Sequence, residues 1–243
     1  MLKSVRSVVQ LRKFEFNGDK RRLAACGDLK DLRLLAKRNL PGGVFDYFDG
    51  AAEDEWSLAN NSSAYSKFGL VPKVLRDVSQ IDTATTIMGQ PVPFPIALSP
   101  TGFTRIAHPQ GELAVARVAG KNSLPFTLST LGTRSIEEVA SVATGPLWYQ
   151  LYVWRDRGLS RELVQRAKAA GYKAIMVTVD TAVFGRRERD VRRGFTLPPK
   201  IGLETFIDGI RHPRWTYKFV TNEPITFSAV AGRSDVAGST AIT

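Results

Sequence analysis

The chain has 243 residues, 43% of them hydrophobic and 23% charged, which is globular composition with room for one large domain or two small ones. Lys and Arg total 34 against 23 Asp and Glu, and the net charge of +11 favours anionic partners: phosphorylated cofactors, carboxylate substrates or acidic lipid. The basic residues are dispersed apart from Lys20–Arg22 and Arg186–Arg193, with no zinc-finger spacing and no aromatic RNA-binding signature, so nucleic acid is not an expected partner.

Residues 1–27 are polar and basic and read as an extension, with no apolar run long enough for a secretory signal. Cys26 is the sole cysteine, which rules out an internal disulfide and suits a reducing compartment. No stretch approaches the ~20 apolar residues of a spanning helix. A cytoplasmic location is expected, and the basic surplus leaves open a peripheral contact at the inner face of the membrane. Asp28 reads as an N-cap, with Asp31 three residues on. Leu29, Leu32, Leu35, Ala36 and Leu40 then keep helical period up to Pro41. After Gly42-Gly43 a short helical piece carries Phe45, Tyr47 and Phe48. Residues 68–90 read as short strands with turns, and 28–90 as a segment that caps the more regular region beyond residue 90.

From residue 91 the pattern is regular. Strands are expected at Phe94–Leu98, Phe126–Ser129, Leu147–Val153 and Ala174–Val179. Between them lie helices from Pro109 to Gly120, from a Ser135/Glu138 capping box to Val142, and from a Ser160 cap to Gly171. The fourth strand, β-branched at Ile175, Val177, Thr178 and Val179, reads as buried on both faces. It ends at Asp180 and runs into a loop with Arg186, Arg187 and Arg189. A carboxylate at the C-terminal end of a parallel strand, followed by arginines, suits an α/β-barrel site; a strand followed by a solvated basic loop is the plainer alternative.

Four β/α units over 91–193 leave a doubly wound sheet or a barrel. Neither G-x-G-x-x-G nor a P-loop is present, which favours the barrel. Residues 194–219 read as an extended active-site loop with a short helix, and 194–243 as the closing region. A (β/α)₈ TIM barrel takes roughly 250 residues. With about ninety residues ahead of the first strand, only strands one to four are expected in this α/β chain.

Five blocks carry a resemblance: LPGGVFDYFDGAAED, SPTGFTRIAHPQGE, LSTLGTRSIEEVA, WYQLYVWRDR and VTVDTAVFGRRERDVRRGF. Together they resemble the FMN-dependent (S)-2-hydroxy-acid dehydrogenases and oxidases, in family order over residues 28–220, with the form of the bacterial L-lactate dehydrogenases. The resemblance implies FMN as cofactor and a small 2-hydroxy acid, L-lactate first, as substrate. It implies that Pro100, Thr101 and Gly102 lay backbone against the flavin ring, and that Ser129, Gln150 and Thr178 hydrogen-bond its edge. Tyr47 and Tyr152 would contact substrate carboxylate and hydroxyl, Arg187 would pair with the carboxylate, and a buried Asp180 would orient a histidine base. Many members have Ala at the position of Gly102, and Pro-Arg where this chain has Ala182-Val183.

These residue types suit the chemistry. A guanidinium holds a carboxylate bidentately. Phenols donate to an oxygen that gains charge, and an aspartate stabilises an imidazolium. Read without the family, the tyrosines are equally core residues, Arg187 a surface cation and Asp180 a loop cap. His108 and His212, the only histidines, lie outside any base motif. The family's Ser-Asn-His-Gly-Gly-Arg base segment, flavin lysine and phosphate-binding residues belong to later strands. The expectation is therefore an N-terminal portion, inactive alone; the alternative is a non-catalytic remnant or split-gene half that needs a C-terminal partner, with a C-terminal half or a homo-oligomer as the expected protein partner.

Overall fold

In the computed structural model, residues 15–180, 183, 185–194 and 202–229 are described. The chain divides into two compact units, between Leu40 and Pro41.

The first unit holds two helices set by their caps. Asn17 Oδ1 accepts from the N–H groups of Asp19 and Lys20 at the start of α1 (Gly18–Leu23). Asp28 accepts from Asp31 N–H at 2.9 Å at the start of α2 (Leu29–Asn39), as its sequence suggests. Asp31 in turn accepts from Gly27 N–H at 2.8 Å. The helix stops at Leu40, whose extended backbone is what a following proline imposes.

The second unit opens with α3 (Gly42–Asp49) and α4 (Trp56–Ser63). The strands expected over 68–90 reduce to a hairpin of β1 (Thr85–Ile87) and β2 (Gln90–Val92), and residues 68–84 hold no regular element. The strand expected at Phe94–Leu98 reduces to one parallel bridge, Leu98 to Phe126. Pro93 and Pro95 supply no N–H for a ladder, so the pairing begins past them.

The parallel sheet runs β3 (Phe126–Leu128), β4 (Leu147–Tyr152), β5 (Ala174–Thr178). Helices α5 (Gly111–Lys121), α6 (Ile136–Val142) and α7 (Arg157–Ala169) alternate with these strands. The Ser135/Glu138 capping box forms as expected. The third helix departs from expectation: Asp156, not Ser160, is its cap, accepting from the N–H groups of Gly158 and Leu159. Ser160 lies inside α7, where its hydroxyl accepts from Trp154 N–H at 2.9 Å. Pro109 sits in the turn before α5 rather than on it.

Side-chain alternation along the strands separates two faces. Phe126, Leu128, Leu147, Tyr149 and Leu151 join Ala116, Ile136, Val139, Leu159, Leu163 and Ala167 in one apolar core. Each fully buried Leu there contributes about 1.5–3 kcal/mol. The alternate positions, Thr127, Trp148, Gln150, Tyr152 and Thr178, fall on the other face. Contrary to expectation, β5 is not buried on both faces: Ile175, Met176 and Val177 are 38%, 39% and 51% exposed.

Beyond β5 the chain forms α8 (Glu188–Arg192), α9 (Leu203–Arg211) and α10 (Pro213–Thr221). The extended loop expected over 194–219 is thus largely two helices, with residues 195–201 outside the described set. Ala182 is outside it as well, so the Ala182-Val183 departure has no structural account.

Candidate active site

The C-terminal ends of β3, β4 and β5 are laced together by one amide. Gln150 is buried on β4, and its Oε1 accepts from Thr130 N–H at 3.0 Å and from Ser129 Oγ at 3.2 Å. Its Nε2 donates to Thr178 Oγ1 at 2.7 Å. Register makes this reach natural, because Gln150 pairs with Met176 and Tyr152 with Thr178 on adjacent parallel strands. The Thr130 hydroxyl donates to the Gln150 carbonyl and accepts from Tyr152 N–H at 3.1 Å. Three residues singled out in the sequence, Ser129, Gln150 and Thr178, therefore meet. Thr130 was missed; its signal is a hydroxyl directly after a buried strand.

Pro100, Thr101 and Gly102 follow Leu98 in a loop beside this network. A Cβ on Gly102 would lie 3.0 Å from Leu131 Cβ, so glycine lets the 100–103 and 129–133 loops meet. Phe103, at φ 59°, donates its N–H to the Leu131 carbonyl at 2.9 Å. Glu112, also missed, is buried at the start of α5 and accepts from both the N–H (2.7 Å) and the hydroxyl of Thr133. Buried Arg105 donates to the carbonyls of Glu223 and Pro224.

On α3, Tyr47 lies edge-on to Phe103 with ring centroids 6.3 Å apart. The Arg187 guanidinium carbon is 5.6 Å from the centre of the Tyr47 ring. Arg187 Nε donates to Asp190 at 2.7 Å, and Nη2 to the carbonyls of Asp46 and Tyr47, at the C-terminal end of α3 where cations are favoured. Its Nη1 has no hydrogen bond to a described residue. Arg189 pairs with Asp49 at 2.8 Å and with Glu55, and Arg193 with Asp46 at 2.6 Å, clamping α8 onto α3.

Burial pushes the Tyr47 phenol pKa up, as does Tyr152, while Arg187 draws it down. Tyr152 is likewise raised, by burial and then by the Asp180 charge. Both phenols therefore stay protonated and able to donate at neutral pH. Of these groups, Tyr47 and Arg187 are in direct contact. Asp180, expected to be buried, is exposed. His108 Nε2 lies 3.3 Å from Lys218 Nζ, and His212 Nδ1 3.2 Å from Asp208, so the described contacts of both histidines lie away from Asp180.

The site geometry comprises a buried amide and hydroxyl edge beside an apposed loop and a tyrosine–arginine pair. Residues 36–240 match the family model for FMN-dependent dehydrogenase. The chain belongs to this family. A protein of Mycobacterium tuberculosis named "Putative L-lactate dehydrogenase" is 44% identical over 92% of this chain and 54% of its own length. Glycolate oxidase of Spinacia oleracea is 45% identical over 74% of this chain and 48% of itself. The crystal structure of a monotopic membrane protein, (S)-mandelate dehydrogenase, matches with a TM-score of 0.83 and 35% identity, covering 86% of this chain and 56% of that one. The chain spans about half the length of the relatives it matches. The family is FMN-dependent and its relatives are oxidoreductases. The α/β fold here corresponds to part of the family's TIM barrel.

Proposed function

We propose that this chain supplies the flavin-edge and carboxylate-holding groups of a site that oxidises an (S)-2-hydroxy acid, with L-lactate to pyruvate as the first candidate. The observation that carries this reading is the Gln150 network. Its amide and three hydroxyls offer mixed donors and acceptors to the polar edge of a flavin, beside the Pro100-Thr101-Gly102 backbone. A flavin held there would supply the two-electron acceptor for the oxidation. Arg187 Nη1 and the Tyr47 phenol hold the carboxylate, and Tyr152 donates to the substrate oxygen. Asp180 charge-stabilises the group that takes the hydroxyl proton. Neither His108 nor His212 is that group, so these 243 residues hold substrate and cofactor groups without turning over. The exposed apolar face of β5 supports completion of the sheet by further strands, from a C-terminal half or a second copy. The name of the monotopic relative supports a peripheral membrane contact.

FMN fluorescence titration tests the cofactor half of this reading. The chain should quench FMN, and Gln150→Leu should weaken that binding about tenfold or more. Arg187→Met should abolish any effect of L-lactate on the bound flavin while leaving FMN uptake intact. Equal FMN binding by Gln150→Leu would remove the assignment.

A further inference from the structure

Among the described residues one buried acid has no part in the groups assigned to cofactor and substrate. Glu112, in the first turn of α5, is 1% exposed. A carboxylate in such a place costs free energy unless its oxygens are hydrogen-bonded. Its side-chain hydrogen bonds to described residues all go to Thr133. Oε1 accepts the Thr133 N–H at 2.7 Å, and the Thr133 hydroxyl is shared between Oε1 at 3.0 Å and Oε2 at 2.8 Å. The N-terminal end of α5 favours the negative charge, and buried Arg105 lies close enough to feel it. A Cβ on Gly111 would fall 2.6 Å from Arg105 Cγ, so glycine, at φ 44°, lets the head of the helix approach that arginine.

Thr133 closes a short loop that begins at the Gln150 network. Ser129 and Thr130 open it, and both reach the Gln150 amide. The loop folds back at once: Gly132 N–H donates to the Ser129 carbonyl at 2.9 Å, and Leu131 N–H to Ser129 Oγ at 3.1 Å. Residues 130–132 alone separate Ser129 from Thr133, too few to absorb a shift at one end without moving the other. On its other side the loop meets Ser228, whose N–H donates to the Gly132 carbonyl at 3.1 Å. That contact is half-buried and neutral, whereas the Glu112–Thr133 contact is buried and charge-assisted, and is the stronger hold.

We propose that Glu112 is a positioning residue of the flavin edge: it grips Thr133 and so fixes the 129–133 loop, which aims the Ser129 hydroxyl and the Thr130 N–H at Gln150. This role rests on the flavin-edge reading above and deepens it by naming what holds that edge from behind. Glu112 acts through Thr133 alone. Chemistry sets what can replace it. Glutamine keeps the length, its carbonyl still accepts the Thr133 N–H, and its amide donates to the Thr133 hydroxyl, which turns to accept. Leucine fills the space and leaves both Thr133 donors without an acceptor.

The test uses the 243-residue chain and two readouts, amide hydrogen exchange without flavin and FMN fluorescence titration. In Glu112→Leu, exchange at Thr130 and Leu131 should quicken about tenfold while α7 stays protected, and FMN affinity should fall about tenfold. Glu112→Gln should restore both to within about twofold. In a Gln150→Leu background, Glu112→Leu should cost no further FMN affinity, because the edge is already broken. Additive losses there, equal quickening in α7, or loop exchange unchanged in Glu112→Leu would overturn the proposal and leave the flavin reading standing. If Glu112→Leu does not fold, Thr133→Val, which removes only the hydroxyl, carries the same test with a smaller loss. If the unsubstituted chain takes up no FMN, the flavin reading fails and exchange alone decides the hold of Glu112 on the loop. Quickening in Glu112→Leu with recovery in Glu112→Gln then supports it, and unchanged exchange overturns it.

Discussion

Strands β4 and β5 are neighbours in register, similar in length and apolarity, and they end differently. From Leu147 to Leu151, β4 is buried throughout; β5 is exposed through its middle. The difference lies in what covers them. β4 pairs on both edges, with β3 and with β5, and sits under α7, whose Leu159, Leu163 and Ala167 close the core. Among the described residues β5 pairs along one edge only. Local composition selects a strand, and neighbours decide its burial. The candidate groups differ likewise: Gln150 on β4 is buried, while Asp180, just past β5, is exposed.

The sharpest way to break this comparison is truncation on each side. Leu163→Ala, in the core over β4, should lower stability by about 2–5 kcal/mol in denaturant unfolding, because a cavity adds to the lost transfer energy. Ile175→Ala on β5 should change it by less than about 1 kcal/mol. Equal losses would mean that β5 is covered in solution.

Next in size is Gln150→Leu, which leaves buried Thr130 N–H without its acceptor and should lower stability by about 1–3 kcal/mol. Faster amide exchange should appear at residues 129–131 and not in α7. Asp156→Ala removes the cap of α7 and should lower stability by about 1 kcal/mol, whereas Ser160→Ala should loosen the Trp154 turn and leave the helix start intact.

The smallest effect is a pH dependence at α10. Partial burial and then the Lys218 ammonium hold the His108 pKa below its usual value. The unfolded chain therefore takes up the proton first as pH falls. The stability carried by neutral His108 is complete above the unfolded pKa of about 6.5 and is lost as pH drops through the lower folded value. His108→Gln should remove that part of the acid sensitivity from the melting curve.

What was legible in the sequence was local. The Ser135/Glu138 box and the Asp28 cap involve residues three apart and formed as read. Ser160 misled because a hydroxyl suits a cap and an interior turn alike, and Asp156 four residues earlier occupied the cap. The strand at Phe94 failed for a reason also in the sequence, its flanking prolines. The site's residue types were legible through the resemblance; their engagement was not. Arg187 is held by Asp190 and the end of α3, 140 residues away in sequence, and no spacing rule reports that.

We propose that these residues hold a flavin edge and a substrate carboxylate and leave the hydroxyl proton to a group outside them. The most direct test is the visible spectrum of the chain supplied with FMN, before and after anaerobic L-lactate. Binding should perturb the flavin band weakly, and lactate should not bleach it. Bleaching would show that a base among these 243 residues completes the site, and an FMN spectrum unchanged by the protein would contradict the flavin edge itself.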